Sequence, residues 1–163
     1  MLEYWQDLNT TDFAGLNPEA TLALLPVAAV EQHGPHLPLC TDLAINRGIL
    51  AEAAGRLPPD IQVLVLPEQA IGDSLEHGAF PGTLCLRPEL LLAAWVEIGR
   101  AVARTGLRKL VIFNSHGGQL GLVDQAALRL RVEEGMLVVR ASYPAFGMPE
   151  GMFIGLRLAN VSP

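Results

Sequence analysis

Four apolar runs of strand length, spaced by segments of helical length, constrain this chain more than any other feature. They are TLALLPVAAV (21–30), IQVLVL (61–66), LRKLVIFN (107–114) and MLVVRASY (136–143). Runs that are apolar on both sides suit a sheet covered on both faces. The segments between them read as helices. Residues 42–56 open at Asp42, a side chain suited to a helix N-cap, and run out at Gly55 and Pro58. Residues 88–105 carry Pro88 in the first turn and stop at Gly106. Residues 119–134 put Leu122, Ala126, Leu130 and Val132 on one face and stop at Gly135. The β-α-β-α-β-α-β order predicts an α/β sandwich with a mostly parallel sheet, and 163 residues fit a single domain.

Composition closes off other classes. Half the residues are hydrophobic and 17% are charged, which excludes disorder. A formal charge of -6 and a pI near 5.1 exclude the basic face a nucleic-acid binder needs. The longest apolar run is broken at Pro26 and is too short to span a membrane. The acidic N-terminus lacks the basic start of a signal peptide, and Cys40 and Cys85 are too few and too far apart for a disulfide framework. Both read as reduced cysteines of a cytoplasmic protein. The last twenty residues, 144–163, are rich in proline and glycine and show no period; they read as a loop and a tail. Phe146, Met152, Phe153 and Ile154 are expected there as apolar surface for a partner chain.

The chemistry concentrates at strand ends. Directly after the first run comes Glu31-Gln32-His33-Gly34-Pro35-His36-Leu37-Pro38-Leu39-Cys40-Thr41-Asp42. Open α/β sheets bind ligands at the C-terminal ends of their strands. Glu31 and His33, two apart, project to one side of an extended segment. Asp42 returns after a turn stiffened by Gly34, Pro35 and Pro38. Carboxylates with imidazole suit zinc, manganese or iron. A second string, Asn114-Ser115-His116-Gly117-Gly118-Gln119, follows the third run and aims His116 at the same crevice. Gly117 and Gly118 allow close backbone approach, and their N–H groups suit an oxyanion. No Lys, Ser or Thr follows them as a phosphate loop requires. A third string, Gly72 to Leu84, is a polar loop offering Ser74, Glu76 and His77 as a wall against substrate.

EQHGPHLPLCTD, GDSLEHGAFPGTL and NSHGGQ, in that order and at these spacings, resemble the signatures of the creatininase family over about residues 24–143. The resemblance implies a three-layer α/β/α sandwich, assembly into homo-oligomers (hexamers in the family) and a pair of divalent ions, variously Zn, Mn or Fe. It implies Glu31, His33, Asp42 and His116 as metal ligands, with Asp42 bridging, and hydrolysis of a small cyclic or linear amide C–N bond. Ser74, Glu76, His77, Gly117 and Gly118 are then the substrate-binding set. Creatininase itself has a glutamate ligand two residues after the histidine of its third motif. Gly118 stands at that place here, which argues against creatinine as substrate and reduces the expected metal to one ion. The family's later His-Ala-Gly and Glu-Thr-Ser segments, which supply a proton-transferring histidine and a carboxylate, have no counterpart: no histidine follows His116. The chain thus reads as one creatininase-like domain lacking the family's C-terminal part, with His77 or His36 left to move protons. The competing reading is an impaired homologue acting as a binding or assembly subunit.

Overall fold

The structure, a computed structural model, describes residues 1–147. Five parallel strands form one sheet in the order β1-β3-β2-β4-β5: β1 Leu2–Tyr4, β2 Thr21–Val27, β3 Gln62–Val65, β4 Lys109–Asn114 and β5 Leu137–Ser142. Three helices connect them, α1 Thr41–Ala54, α2 Pro88–Arg104 and α3 Leu120–Glu134. The four apolar runs are therefore four of the five strands, each trimmed at one end or both. β1 was not foreseen, since its three residues are too short to show a period. It pairs with β3, Leu2 opposite Val63, and makes that edge of the sheet. Among the described residues no helix is long and apolar enough to cross a membrane. Cys40 and Cys85 are free thiols.

Two crossovers in opposite directions position the site. From β2 the chain passes through α1 to β3 on one side, and from β3 through α2 it returns beyond β2 to β4 on the other. The C-terminal ends of β2 and β4 lie side by side, Val27 opposite Asn114, where the connections diverge. α2 and α3 cover one face. Their Leu91, Trp95, Val96, Val123, Ala126 and Leu130 share a buried cluster with the sheet residues Ala23, Leu25, Leu64, Leu110, Ile112 and Val138. α1 lies on the opposite face, where Arg47 and Leu50 border a cavity with Tyr4, Pro26 and Val65. The result is the expected α/β/α layering.

Three local expectations are corrected. Asp42 does not cap α1; Cys40 holds that place without a side-chain bond. Asp42 falls inside the first turn and is buried, so its carboxylate is directed into the protein. In α3 the buried positions are Val123, Ala126, Ala127 and Leu130, while Val132 is 75% exposed. Val132, two residues beyond Leu130, falls about 200° round the helix from it and so points away from the stripe that packs against α2 and β5. Among the described residues nothing covers one face of β5: Leu137 and Val139 stay exposed. Of the apolar tail residues, Phe146 is exposed. Met152, Phe153 and Ile154 lie outside the described residues.

Candidate metal centre

Glu31, Asp42 and His116, from the loop after β2, the first turn of α1 and the loop after β4, each bring a ligand atom within 4.8 Å of the others. All three are at most 5% exposed. His116 Nδ1 lies 3.0 Å from Asp42 Oδ2 and 3.3 Å from Glu31 Oε1. Its other nitrogen, Nε2, is 2.7 Å from the Asp73 carbonyl oxygen. A carbonyl can only accept, so Nε2 carries the hydrogen and Nδ1 presents a lone pair to two carboxylates. His33 repeats this arrangement. Its Nδ1 is 3.1 Å from the Glu31 carbonyl oxygen, and its Nε2 is 3.2 Å from Asp42 Oδ1. Each imidazole is thus fixed in orientation by a backbone carbonyl, as metal-bound histidines are.

Lone pairs facing carboxylate oxygens repel unless a cation lies between them. A proton is one such cation. Burial alone would hold the His116 imidazolium down, but its bonds to Asp42 and the Asp73 carbonyl and the charges of Glu31 and Asp42 outweigh this. Its pKa is raised above the ordinary histidine value. A divalent ion is the other candidate, and the residues fit it: Glu31 Oε2 is buried with no partner, which costs free energy that an ion would remove. Asp42 turns one oxygen toward each histidine.

Around this centre lies a cleft of about 410 Å³ lined by Glu31, His33, Asp42, Glu76, His77, Ser115, His116, Gly117, Gly118, Tyr143 and Pro144. Four of the five residues expected at the substrate wall therefore line it. Ser74 does not: it is fully buried, its hydroxyl has no partner, and its backbone N–H donates to Cys85 Sγ at 3.2 Å. As placed, it does not line the cleft. His36 is exposed on its turn and is absent from the lining, so of the two spare histidines only His77 faces the cleft. Gln32 orients it. The Gln32 side-chain oxygen accepts from Gly34 N at 2.9 Å, which turns Nε2 toward His77 Nδ1 at 3.0 Å. Nδ1 then accepts, and Nε2 of His77 carries the hydrogen.

The sequence reading missed the polar scaffold beneath these groups. Asn46, one turn beyond Asp42 on α1, is 1% exposed and donates to the carbonyls of Val27 and Phe113 at 3.3 and 3.2 Å, tying the ends of β2 and β4 together. Its i, i+4 spacing from Asp42 was the available signal. Asn114 Oδ1 accepts from His116 N at 3.1 Å and from Gln119 Nε2 at 2.9 Å. Gln119 is fully buried, and its Oε1 accepts from Asp73 N at 3.3 Å. Gly72 allows this close approach: a Cβ there would fall 2.5 Å from Gln119 Oε1 and 2.6 Å from the Ala28 carbonyl.

A creatininase family model, described as creatinine amidohydrolase, matches residues 6–157. A mycofactocin precursor peptide peptidase of Mycolicibacterium smegmatis is 38% identical over 129 residues, which are 77% of this chain and 51% of that protein. The chain thus spans about half the length of that curated relative. Among solved structures, a creatininase mutant of the Zn-Zn type superposes with a TM-score of 0.76 at 27% identity, over 93% of this chain and 65% of the other. A manganese creatininase gives 0.75 at 28%, over 88% and 59%.

Proposed function

The chain belongs to the creatininase family, and on that premise we propose that it is a metal-dependent hydrolase of an amide C–N bond, acting through Glu31, His33, Asp42 and His116 in a single domain. The observation that carries this reading is the pair of carbonyl-anchored histidines whose free nitrogens face the two oxygens of one buried aspartate. When bound, divalent ions of the Zn, Mn or Fe class supply a nucleophile by lowering the pKa of water and polarise the scissile carbonyl. The protein's own part is positional. His33 and His116 offer nitrogens fixed in place, and Asn46 and Asn114 hold the two loops that carry the ligands. The Gly117–Gly118 backbone borders the space where substrate sits. His77, oriented by Gln32, is the group we assign to deliver a proton to the leaving nitrogen.

Glycine at 118 supports a substrate other than creatinine. The sequence reading favoured a small cyclic or linear amide, whereas the Mycolicibacterium relative is named for cleaving a precursor peptide. We therefore place a peptide or linear amide bond first and a cyclic amide second. The alternative is an impaired homologue that keeps the fold and serves as a binding or assembly subunit. Self-association as a homo-oligomer is supported by the exposed Leu137 and Val139 on edge strand β5; light scattering showing a salt-insensitive monomer would count against it.

One experiment separates enzyme from assembly subunit. Manganese- or zinc-loaded chain is assayed on a short peptide panel, formamide and creatinine. The enzyme reading expects turnover that disappears in Asp42→Asn and His116→Ala. It expects a fall of about 10²–10⁴-fold in His77→Ala, the usual worth of a general acid. Tight metal uptake with no turnover on any substrate would favour the binding subunit.

A further inference from the structure

Two residues hold His116, and one buried amide joins them. Asn114 grips the backbone: its Oδ1 accepts from His116 N at 3.1 Å, and its Nδ2 donates to the His116 carbonyl at 2.6 Å. Asp73 grips the ring, its carbonyl accepting from His116 Nε2 at 2.7 Å. Gln119 is bonded to both. Its Nε2 donates to Asn114 Oδ1 at 2.9 Å and to the Ala28 carbonyl at 3.4 Å, and its Oε1 accepts from Asp73 N at 3.3 Å. This amide has one workable orientation. Turned round, it would set its oxygen against two acceptors and its NH2 against an N–H. The end of β4, the chain just after β2 and the loop after β3 thus meet at one fully buried side chain.

Two glycines leave this linkage its room. A Cβ at Gly72 would fall 2.5 Å from Gln119 Oε1. A Cβ at Gly118 would fall 2.8 Å from each atom of the His116–Asp73 bond and 2.7 Å from Glu76 Oε1. The Asp73 carbonyl is also steadied from its far side, because the Ser74 N–H of the same peptide unit donates to Cys85 Sγ at 3.2 Å. We propose that Gln119 is a positioning residue for the metal centre: by tying Asp73 to Asn114 it holds the His116 ring with Nδ1 turned to the ion. The inference rests on the metal reading above. Gln119 is not among the residues that line the cleft, so it acts only through His116. A ring free to turn presents Nδ1 correctly for a fraction of the time, and affinity falls by that fraction.

The test uses the full chain with Zn²⁺ alone as the probe. Affinity is read by competition with a chelator, and the His116 Nε2–H by nitrogen-15 NMR of the zinc-loaded protein. In the wild type this proton should be shifted downfield and exchange slowly with water. Gln119→Met keeps the length and loses the amide. It should weaken zinc binding about 10–100-fold, the usual worth of a group that orients a ligand, and speed exchange of the Nε2–H. Gly118→Ala, which wedges the His116–Asp73 bond with Gln119 intact, should change both readings the same way. Val123→Ala, a buried position of the same helix, lowers stability and should change neither. Gln119→Met with wild-type affinity and slow exchange overturns the assignment while leaving the metal reading intact, as does an equal loss of zinc in Val123→Ala. Should Gln119→Met fail to fold, the wild-type Asp73 amide decides: slow exchange is expected, and the rate of an open loop overturns the proposal. Wild-type protein that takes up no zinc overturns the metal reading itself.

Discussion

On one face of the sheet, Trp95, Val96, Val102, Val123 and Leu130 of α2 and α3 close completely over Ala23, Leu25, Leu64, Leu110, Ile112 and Val138. On the other, α1 turns Asp42 and Asn46 inward and buries only one hydrophobic side chain, Leu43. There Leu24 and Val111 are half-buried, and Val139 and Leu137 are 48% and 60% exposed. The first face supplies burial, at about 25 cal/mol per Å² of apolar surface. The second gives up burial where Asp42 and Glu31 are gathered against His33 and His116. A chain can hold buried carboxylates against histidine lone pairs only if stability comes from somewhere else. Here it comes from across the sheet.

The largest effect expected from this division lies on the packed face. Trp95→Ala should lower unfolding free energy by about 3–5 kcal/mol, because a fully buried ring leaves a cavity that cannot collapse. Urea denaturation of the metal-free protein measures it, and the folded fraction should still bind metal. A loss below about 1 kcal/mol would mean the two faces share the load.

Next comes Asn46→Ala. Its amide serves the carbonyls of Val27 and Phe113 and the Ser115 hydroxyl. Leaving buried acceptors unpaired should cost about 1–3 kcal/mol, and metal affinity should fall about 10–100-fold as the ends of β2 and β4 loosen. Val139→Ala on the same face should stay within about 0.5 kcal/mol of wild type, since its side chain is half exposed. Calorimetry on both variants distinguishes a polar scaffold from a second hydrophobic core.

The faces should also respond to pH with opposite signs. The His116 pKa is raised in the folded protein, so its proton stabilises the metal-free fold fully below the ordinary imidazole pKa of about 6.5. That stability is lost as pH rises through the higher folded value. Thermal melts of metal-free protein should therefore fall across this range. Metal-loaded protein should not show the trend, because the ion replaces the proton, and metal affinity should drop as the solution is acidified.

Glu133 gives the smallest effect. The bond from Arg129 outweighs burial and, with Arg100, lowers its pKa. Arg100 joins α2 to α3 through Glu133 at 2.5 Å and Glu134 at 3.2 Å. This contribution is present above the ordinary carboxylate pKa and is lost as pH falls through the lowered folded value. Exposed pairs are screened, so Glu133→Gln should shift an acid melt only slightly, and less again in high salt. A large shift would show that the packed face depends on charge after all.

How much of this was legible beforehand follows from the reach of each signal. The apolar runs, Pro88 in the first turn of α2 and Gly135 after α3 act within a turn or a strand, so four strands and three helices could be read directly. β1 could not, because three residues carry no period and Val63, the partner of Leu2, lies 61 residues away. Ser74 looked like a substrate contact because hydroxyls in polar loops usually face water. The buried turn around Cys85 decided otherwise. Val132 looked like part of the buried stripe of α3 by being apolar, but two residues beyond Leu130 it lies about 200° round the helix and faces solvent.

The α/β alternation and the residue types delivered to the strand ends are written in the chain: a Glu and a His two apart, an Asp eleven positions after that Glu, and a His before two glycines. These are short-range patterns, fixed by turn geometry and side-chain period. The tertiary structure decided that β2 and β4 lie side by side with β3 displaced to the far side, which brings His116 to within 3.0 Å of Asp42 across 74 residues of chain. It also decided that Asp42 faces a histidine with each oxygen and that Glu76 enters the space left by Gly118. Those relations depend on strand order and on how loops cross at the end of the sheet. No window of sequence contains them, because the atoms concerned become neighbours only when the whole sheet has formed.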